Sequence, residues 1–220
     1  MIERILPDTV ITVADASSAP VTERLFPAEE ALISTSVATR QHEFRAVRLC
    51  ARQALTKLGV PVAPILPGLR GAPGWPTGIV GSMTHCRGYR AAALAHATQL
   101  LSIGIDAEPA EPLPEGVLEA IARPEELTRL RALTAQRPDV PWDRLLFSAK
   151  ESVYKAWFPL AQVFLDFSEA SLTFDTEGGF TAEVLVPAPL VQGRRLTGFT
   201  GRWLVAQGLA LTAISVPHAA

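Results

Sequence analysis

The chain has 220 residues, 48% of them hydrophobic, and a mean hydropathy of +0.22, so a core of real size is expected and intrinsic disorder is not. Its net charge of −2 excludes wrapping nucleic acid or binding an anionic membrane through bulk charge, and any phosphate site must be local. The opening M-I-E-R-I-L-P-D interrupts the apolar run a secretory peptide needs, and no later stretch has the length and apolarity of a membrane span; a cytoplasmic protein is expected.

After a first strand near residues 10–13, residues 39–58 follow a helical period, with Phe44, Val47, Ala51, Ala54, Leu55 and Leu58 on one face and Gly59 as the stop. The other face carries Arg40, Arg45, Arg48, Arg52 and Lys57 against Glu43 alone. Such a face is either solvated surface or a phosphate cradle, because the planar arginine fork matches phosphate oxygens. Cys50 falls within this pattern as a small core residue, and in a reducing compartment no disulfide with Cys86 is expected.

Residues 61–81 are dense in proline and glycine and read as loop, with Arg70 as their one charge. G-S-M-T-H-C-R-G-Y-R then leads into a strand at residues 90–95. Thr84 and His85, at this junction of loop and strand, can each donate a hydrogen bond to an anion. The adjacency of His85 and Cys86 is not zinc-ligand spacing, and the four histidines are scattered, which argues against a zinc site.

Residues 101–108 form an apolar strand ending in two acids, and strand alternation turns Asp106 and Glu108 the same way. Paired carboxylates with no counter-charge in sight favour a hard divalent cation. Residues 106–126 hold seven acids against Arg123 alone, so a basic helix in the first half of the chain is set against an acidic stretch in the second.

A weaker helical segment at residues 123–133 and a break at 138–141 precede a helix over residues 142–157. Ala149, Val153 and Ala156 form its apolar stripe, while Glu151 and Lys155, one turn apart, present a carboxylate and an ammonium together. Alone, that pair reads as an ordinary surface ion pair. Short strands follow at residues 171–174, 180–186, 196–200, 203–206 and 209–216, the last two turning at Gln207-Gly208. The fold class expected is α+β: two similar, pseudo-symmetric lobes, residues 1–102 and 103–220, each a long helix packed on a small antiparallel sheet.

Taken in order, G-S-M-T-H at residues 81–85, G-I-D-A-E at 104–108 and F-S-A-K-E-S-V-Y-K at 147–155 resemble the signature of the 4'-phosphopantetheinyl transferases of the monomeric Sfp/EntD type. The segments E-F-R-A-V-R-L-C-A-R-Q-A-L and R-G-A-P-G-W-P-T-G, with Phe147, resemble the EntD branch; Val47 stands where that branch commonly has glycine. The likeness covers residues 40–157 and implies that the phosphopantetheine arm of coenzyme A moves to a serine of an apo acyl, peptidyl or aryl carrier protein, releasing 3',5'-ADP. It implies a monomer with no nucleic acid or membrane as partner, whose residues 1–102 bind the nucleotide and whose residues 103–220 bind metal and catalyse.

On this resemblance Asp106, Glu108 and Glu151 bind magnesium, whose hard character suits oxygen ligands. Lys155, supported by Lys150 from the adjacent face, stabilises charge on the leaving diphosphate. Glu151 takes the serine proton, directly or through a water on the metal. Arg40, Arg48, Arg70, Thr84 and His85, with Asp106 and Lys155, form the coenzyme A site. Two other readings stay open: a magnesium-dependent hydrolase of coenzyme A or a related nucleotide, and a non-catalytic carrier-protein-binding module. The second would be expected to lack an acid or lysine that this chain keeps.

Overall fold

In the computed structural model, which describes residues 1–17 and 23–218, β1 (Ile11–Asp15) is followed by α1 (Pro27–Ile33) and α2 (Ala38–Lys57). A long loop then leads to β2 (Ile79–Cys86), β3 (Tyr89–His96) and β4 (Leu100–Pro109). The first three strands form an antiparallel sheet in the order β1-β3-β2. The expected apolar stripe of α2 is buried from Phe44 to Leu55, and only Leu58 is half-exposed. Gly59, at φ +71°, turns the chain out of the helix, and the Val60 N–H closes the end on the Leu55 carbonyl.

β3 explains how this sheet is covered on both faces. Ala92 and Leu94 pack under α2 with Cys50, Ala54 and Leu55. Ala91, Ala93 and Ala95 face the other way, against Ile103, Ile105 and Leu211 of a second sheet. Period-two alternation of small residues thus places the first sheet between helix and sheet. β2 begins at Ile79, inside the stretch expected to be loop. Gly81, which reads as a loop residue, is there for close packing: a Cβ would lie 2.1 Å from Leu94 Cδ2 and 2.8 Å from the Ala93 carbonyl.

The second half contributes α3 (Val117–Ile121), α4 (Pro124–Gln136), α5 (Trp142–Ala161), β5 (Ala170–Phe174) and β6 (Gly179–Val184). A two-stranded ribbon, β7 (Leu190–Val191) and β8 (Arg194–Arg195), comes before β9 (Gly198–Ala206) and β10 (Leu209–Pro217). The sheet order is β4-β10-β9-β6-β5, antiparallel throughout, so residues 100–102 already belong to the second sheet. The expected pair of strands at 196–200 and 203–206 is the single β9, in which Gly201 pairs with Ile214 of β10 and Phe180 of β6 and leaves room for the Phe180 ring; a Cβ there would meet Phe180 Cζ at 2.2 Å. The strand expected to reach residue 186 stops at Val184. Gln207 and Gly208, at φ +51° and +74°, make the expected hairpin turn.

α5 lies across this sheet with Ala149, Val153, Ala156 and Trp157 buried, and Trp142 meets Trp203 edge-on at 5.1 Å. Ser148 and Ser152 hydroxyls meet that of Thr212 at 2.9 and 2.7 Å beneath the helix. β2 and β4 run side by side without a backbone ladder; instead the Ile105 N–H donates to Ser82 Oγ and the Ala107 N–H to Thr84 Oγ1, both at 3.1 Å. The fold is therefore α+β, with helices packed on antiparallel sheets. Among the described residues, no helix is long and apolar enough to cross a membrane.

Candidate active site

A cleft of about 720 Å³ opens between α2 and α5, under the loop that carries Arg70 and Trp75. Arg40, Phe44 and Arg48 line it from α2, Met83 and His85 from β2, and Glu151, Tyr154 and Lys155 from α5. The basic helix and the glutamate–lysine turn, far apart in sequence, thus share one concave surface.

The basic face of α2 is less free than its five-to-one charge count implies. Glu30 pairs with Arg45, and the fully buried Glu29 pairs with Arg52 and approaches Arg48 Nε at 3.7 Å. Both acids sit on α1, a seven-residue helix too short to leave a periodic signal. Glu29 also accepts the Ile65 N–H at 2.9 Å, so one carboxylate fixes two arginines and the start of the loop. Arg48 is only 7% exposed, lies 3.2 Å over the Phe44 ring and donates to the Ile65 carbonyl. Burial lowers its pKa to about 10, with Arg40 and Arg52 adding to the effect and Glu29 opposing it, so it stays charged at neutral pH. Arg40 and Arg70 have no carboxylate partner among the described residues: Arg40 Nη1 is 3.5 Å from His85 Nε2, and Arg70 rests 5.1 Å over the Phe164 ring.

Thr84 and His85 do not face the same way. They are consecutive in a continuous strand rather than at a loop junction, so their side chains point to opposite faces. His85 faces the cleft between Arg40 and Glu43; burial lowers its pKa, Arg40 and Lys155 add to this, and Glu43 opposes it. Thr84 is 3% exposed and faces β4, where it donates to Asp106 Oδ1 at 3.2 Å.

Asp106 and Glu108 lie on one face of β4, as alternation requires, but each has a counter-charge that strand spacing does not reveal. Lys155 Nζ is 2.7 Å from Asp106 Oδ1, and Arg144 Nη1 is 3.1 Å from Glu108 Oε2. Glu151 is left out of both pairs. Burial raises the pKa of Glu151, with Asp106 adding and Lys155 opposing, and burial likewise raises Glu108, with Asp106 adding and Arg144 opposing. Asp106 therefore acts on each of the other two acids, although among the described residues no three histidine, cysteine or acidic side chains are gathered as a metal would hold them. Asp106 Oδ2 is buried with no hydrogen-bond partner.

Lys150 does not reach the cleft. It is 3% exposed on the sheet side of α5, where its ammonium meets Glu126 at 2.8 Å and donates to the carbonyls of Phe167 and Ala170. Five residues from Lys155, it lies roughly 140° around the helix from it, so the expected support from an adjacent face is absent. Glu126, which the sequence shows only as one acid of the 106–126 stretch, satisfies it and also accepts the Leu172 N–H at 2.7 Å.

An α+β fold that sets arginines and a histidine against a desolvated glutamate and a lysine across one cleft is that of a group-transfer enzyme acting on an anionic substrate. The 4'-phosphopantetheinyl transferase N-terminal domain profile matches residues 28–95, and that of the 4'-phosphopantetheinyl transferase superfamily matches residues 102–206. The chain is 56% identical to 4'-phosphopantetheinyl transferase Svp of Streptomyces mobaraensis, over 98% of this chain and 89% of that one. It is 48% identical to Npt of Nocardia iowensis, over 98% and 99%, and 45% identical to PptT of Mycobacterium tuberculosis, over 97% of each. The chain belongs to the 4'-phosphopantetheinyl transferase superfamily and is an enzyme of that type, transferring phosphopantetheine to carrier proteins.

Proposed function

We propose that the cleft binds coenzyme A and that a serine of an apo acyl, peptidyl or aryl carrier protein enters beside α5, in a cytoplasmic monomer of two pseudo-symmetric lobes. Residues 1–102 supply the nucleotide side and residues 103–220 the acids and Lys155. The observation that carries this reading is the joint opening of Arg40, Arg48, His85, Glu151 and Lys155 onto one cleft.

Arg40 and Arg70 are the donors best suited to a terminal phosphate, since neither is already neutralised by a carboxylate among the described residues, and His85 Nε2, 3.5 Å from Arg40 Nη1, adds a third donor beside Arg40. Arg48, fixed by Glu29, contributes charge with little freedom to move. Glu151 acts as base: burial raises its proton affinity toward the range useful at neutral pH. It takes the proton of the serine hydroxyl as the serine oxygen bonds to the phosphorus carrying the pantetheine arm. The bond from that phosphorus to the bridging oxygen breaks, and 3',5'-ADP leaves. Lys155, anchored to Asp106 Oδ1, holds positive charge where the leaving oxygens become more negative.

The donor set also suits magnesium, because Asp106 Oδ2 is a buried, unpartnered carboxylate oxygen and Asp106 couples electrostatically to Glu108 and Glu151. Asp106, Glu108 and Glu151 are the residues that would hold it, and when bound it neutralises charge on the diphosphate. Intact mass of an apo carrier protein incubated with this protein, coenzyme A and magnesium tests the reading: a gain of roughly 340 Da, the mass of the transferred group, is expected. Release of 3',5'-ADP with no mass gain marks a hydrolase; neither product marks a binding module.

A further inference from the structure

We propose that Thr84 is a positioning residue for Asp106, reaching from the first sheet to orient a carboxylate of the second. The proposal rests on the reading of Asp106 as a cation ligand and adds to it a residue from the other half of the chain. Three observations carry it. The Thr84 hydroxyl accepts from the Ala107 N–H at 3.1 Å, and its one proton is then free for Asp106 Oδ1, 3.2 Å away. Lys155 Nζ donates to that same Oδ1 at 2.7 Å. Both partners of Asp106 therefore hold one oxygen, and Oδ2 stays buried without a partner.

A carboxylate that must give one oxygen to a cation works best when its other oxygen is fixed by hydrogen bonds, which set its rotamer before the ion arrives. Thr84 suits this role because its methyl and hydroxyl are themselves fixed: it lies in a continuous strand, it is 3% exposed, and it bonds the backbone of the residue that follows Asp106. Ser82 makes the companion bond to the Ile105 N–H but touches no carboxylate, so the edge contact of β2 with β4 and the orientation of Asp106 are separable.

The test measures Mn²⁺ binding by the electron paramagnetic resonance signal of the free ion, at saturating coenzyme A and against a protein-free control, with coenzyme A affinity measured separately. Thr84→Val removes the hydroxyl at nearly constant volume and should raise the dissociation constant for Mn²⁺ about 10- to 100-fold. Thr84→Ser should restore it, and Ser82→Ala should leave it near the wild-type value. If the valine variant does not fold, Thr84→Ala against Thr84→Ser makes the same comparison. Unchanged Mn²⁺ affinity in Thr84→Val, or a loss confined to coenzyme A affinity, overturns the proposal. So does an equal loss in Ser82→Ala, which would show only a loosened junction. Asp106→Asn separates the two levels: unchanged Mn²⁺ affinity there removes the cation reading itself, whereas its loss with a wild-type-like Thr84→Val removes only the role of Thr84.

Discussion

Lys155 Nζ lies 2.7 Å from Asp106 Oδ1 and 3.2 Å from the Ile105 carbonyl, so α5 is tied to β4 by the side chain that it also presents to the cleft. Its ammonium is held in place, and fixed charge stabilises a developing anion without reorganising. Lys155→Met should therefore lower kcat for carrier modification about 10²- to 10³-fold, with a smaller change in coenzyme A affinity. Lys155→Arg should not restore the rate, because a planar fork does not reproduce a compact ammonium. Steady-state kinetics with coenzyme A and an apo carrier, beside direct binding of coenzyme A, distinguish the two effects.

Glu151→Gln keeps the shape of the side chain and removes the proposed base, and turnover should fall about 10²- to 10⁴-fold. In the wild type the rate should rise with pH through the raised pKa of Glu151, since the base must be ionised, and the glutamine variant should lose this limb. Stability should move the other way. A carboxylate whose pKa is raised by folding contributes stability below its unfolded pKa and loses it as pH rises through the folded value. At neutral pH the glutamine variant should thus melt at or above the wild-type temperature, with the advantage shrinking in acid. A glutamine variant that melts well below wild type at neutral pH would contradict the desolvation of Glu151.

His85 faces Arg40, Glu43 and Lys155, and burial, the largest influence, keeps its free-state pKa below the ordinary value. A bound phosphate favours the imidazolium, so binding should take up a proton at neutral pH. Coenzyme A affinity should be highest below the free-state pKa and should fall as pH rises to that of the complex. His85→Gln should flatten this dependence, and calorimetry in buffers of different ionisation enthalpy would reveal the proton uptake.

Legibility followed periodicity. α2 and α5 each have 20 residues, and their apolar stripes are visible in the sequence, as is the shared face of Asp106 and Glu108 on β4. What did not show was which charges find partners across the fold. Glu29, on seven-residue α1, and Glu126, within the acidic stretch, look like surface acids yet are almost completely buried under arginines or a lysine. Thr84 was legible as a polar residue near a site but not as one facing away from His85, because Gly81 made β2 look like loop. The position of Lys150 was available from helical geometry, since it neighbours Ala149 and Val153 on the buried side; the paired lysines of the motif obscured that.

The Lys150–Glu126 pair gives a prediction opposite in kind to that for Lys155. Both side chains are 1% exposed, and Glu126 also caps α4 by accepting the Arg123 N–H at 2.7 Å. Lys150→Met leaves this buried carboxylate without its cation, a loss of about 3–5 kcal/mol. Urea unfolding should show the lowered midpoint, while coenzyme A affinity of the folded fraction should stay near wild type. A variant of normal stability with a weakened coenzyme A site would return Lys150 to the cleft.

Gly104 decides how closely α5 approaches β4. A Cβ at this position would lie 2.0 Å from the Ser152 carbonyl oxygen and 2.8 Å from the Ala156 nitrogen, both backbone atoms of α5 that cannot turn aside. The same face of the strand carries Asp106 two residues on, and Glu151 and Lys155 flank the contact on the helix. Gly104→Ala must therefore lift the helix rather than repack a side chain, and overpacking of this kind costs about 1–3 kcal/mol, with more expected where backbone is struck. Lifting α5 also lengthens the Lys155–Asp106 contact, so the folded variant should lose turnover as well as stability. Gly59→Ala is the comparison: it is also a glycine, at φ +71°, but a Cβ there meets nothing within 4 Å, and its strain is local to the end of α2. Both variants should unfold at lower urea concentration, and only Gly104→Ala should show a large fall in kcat for its folded fraction. Equal and near-normal turnover in both would mean that the spacing of α5 and β4 does not govern the site.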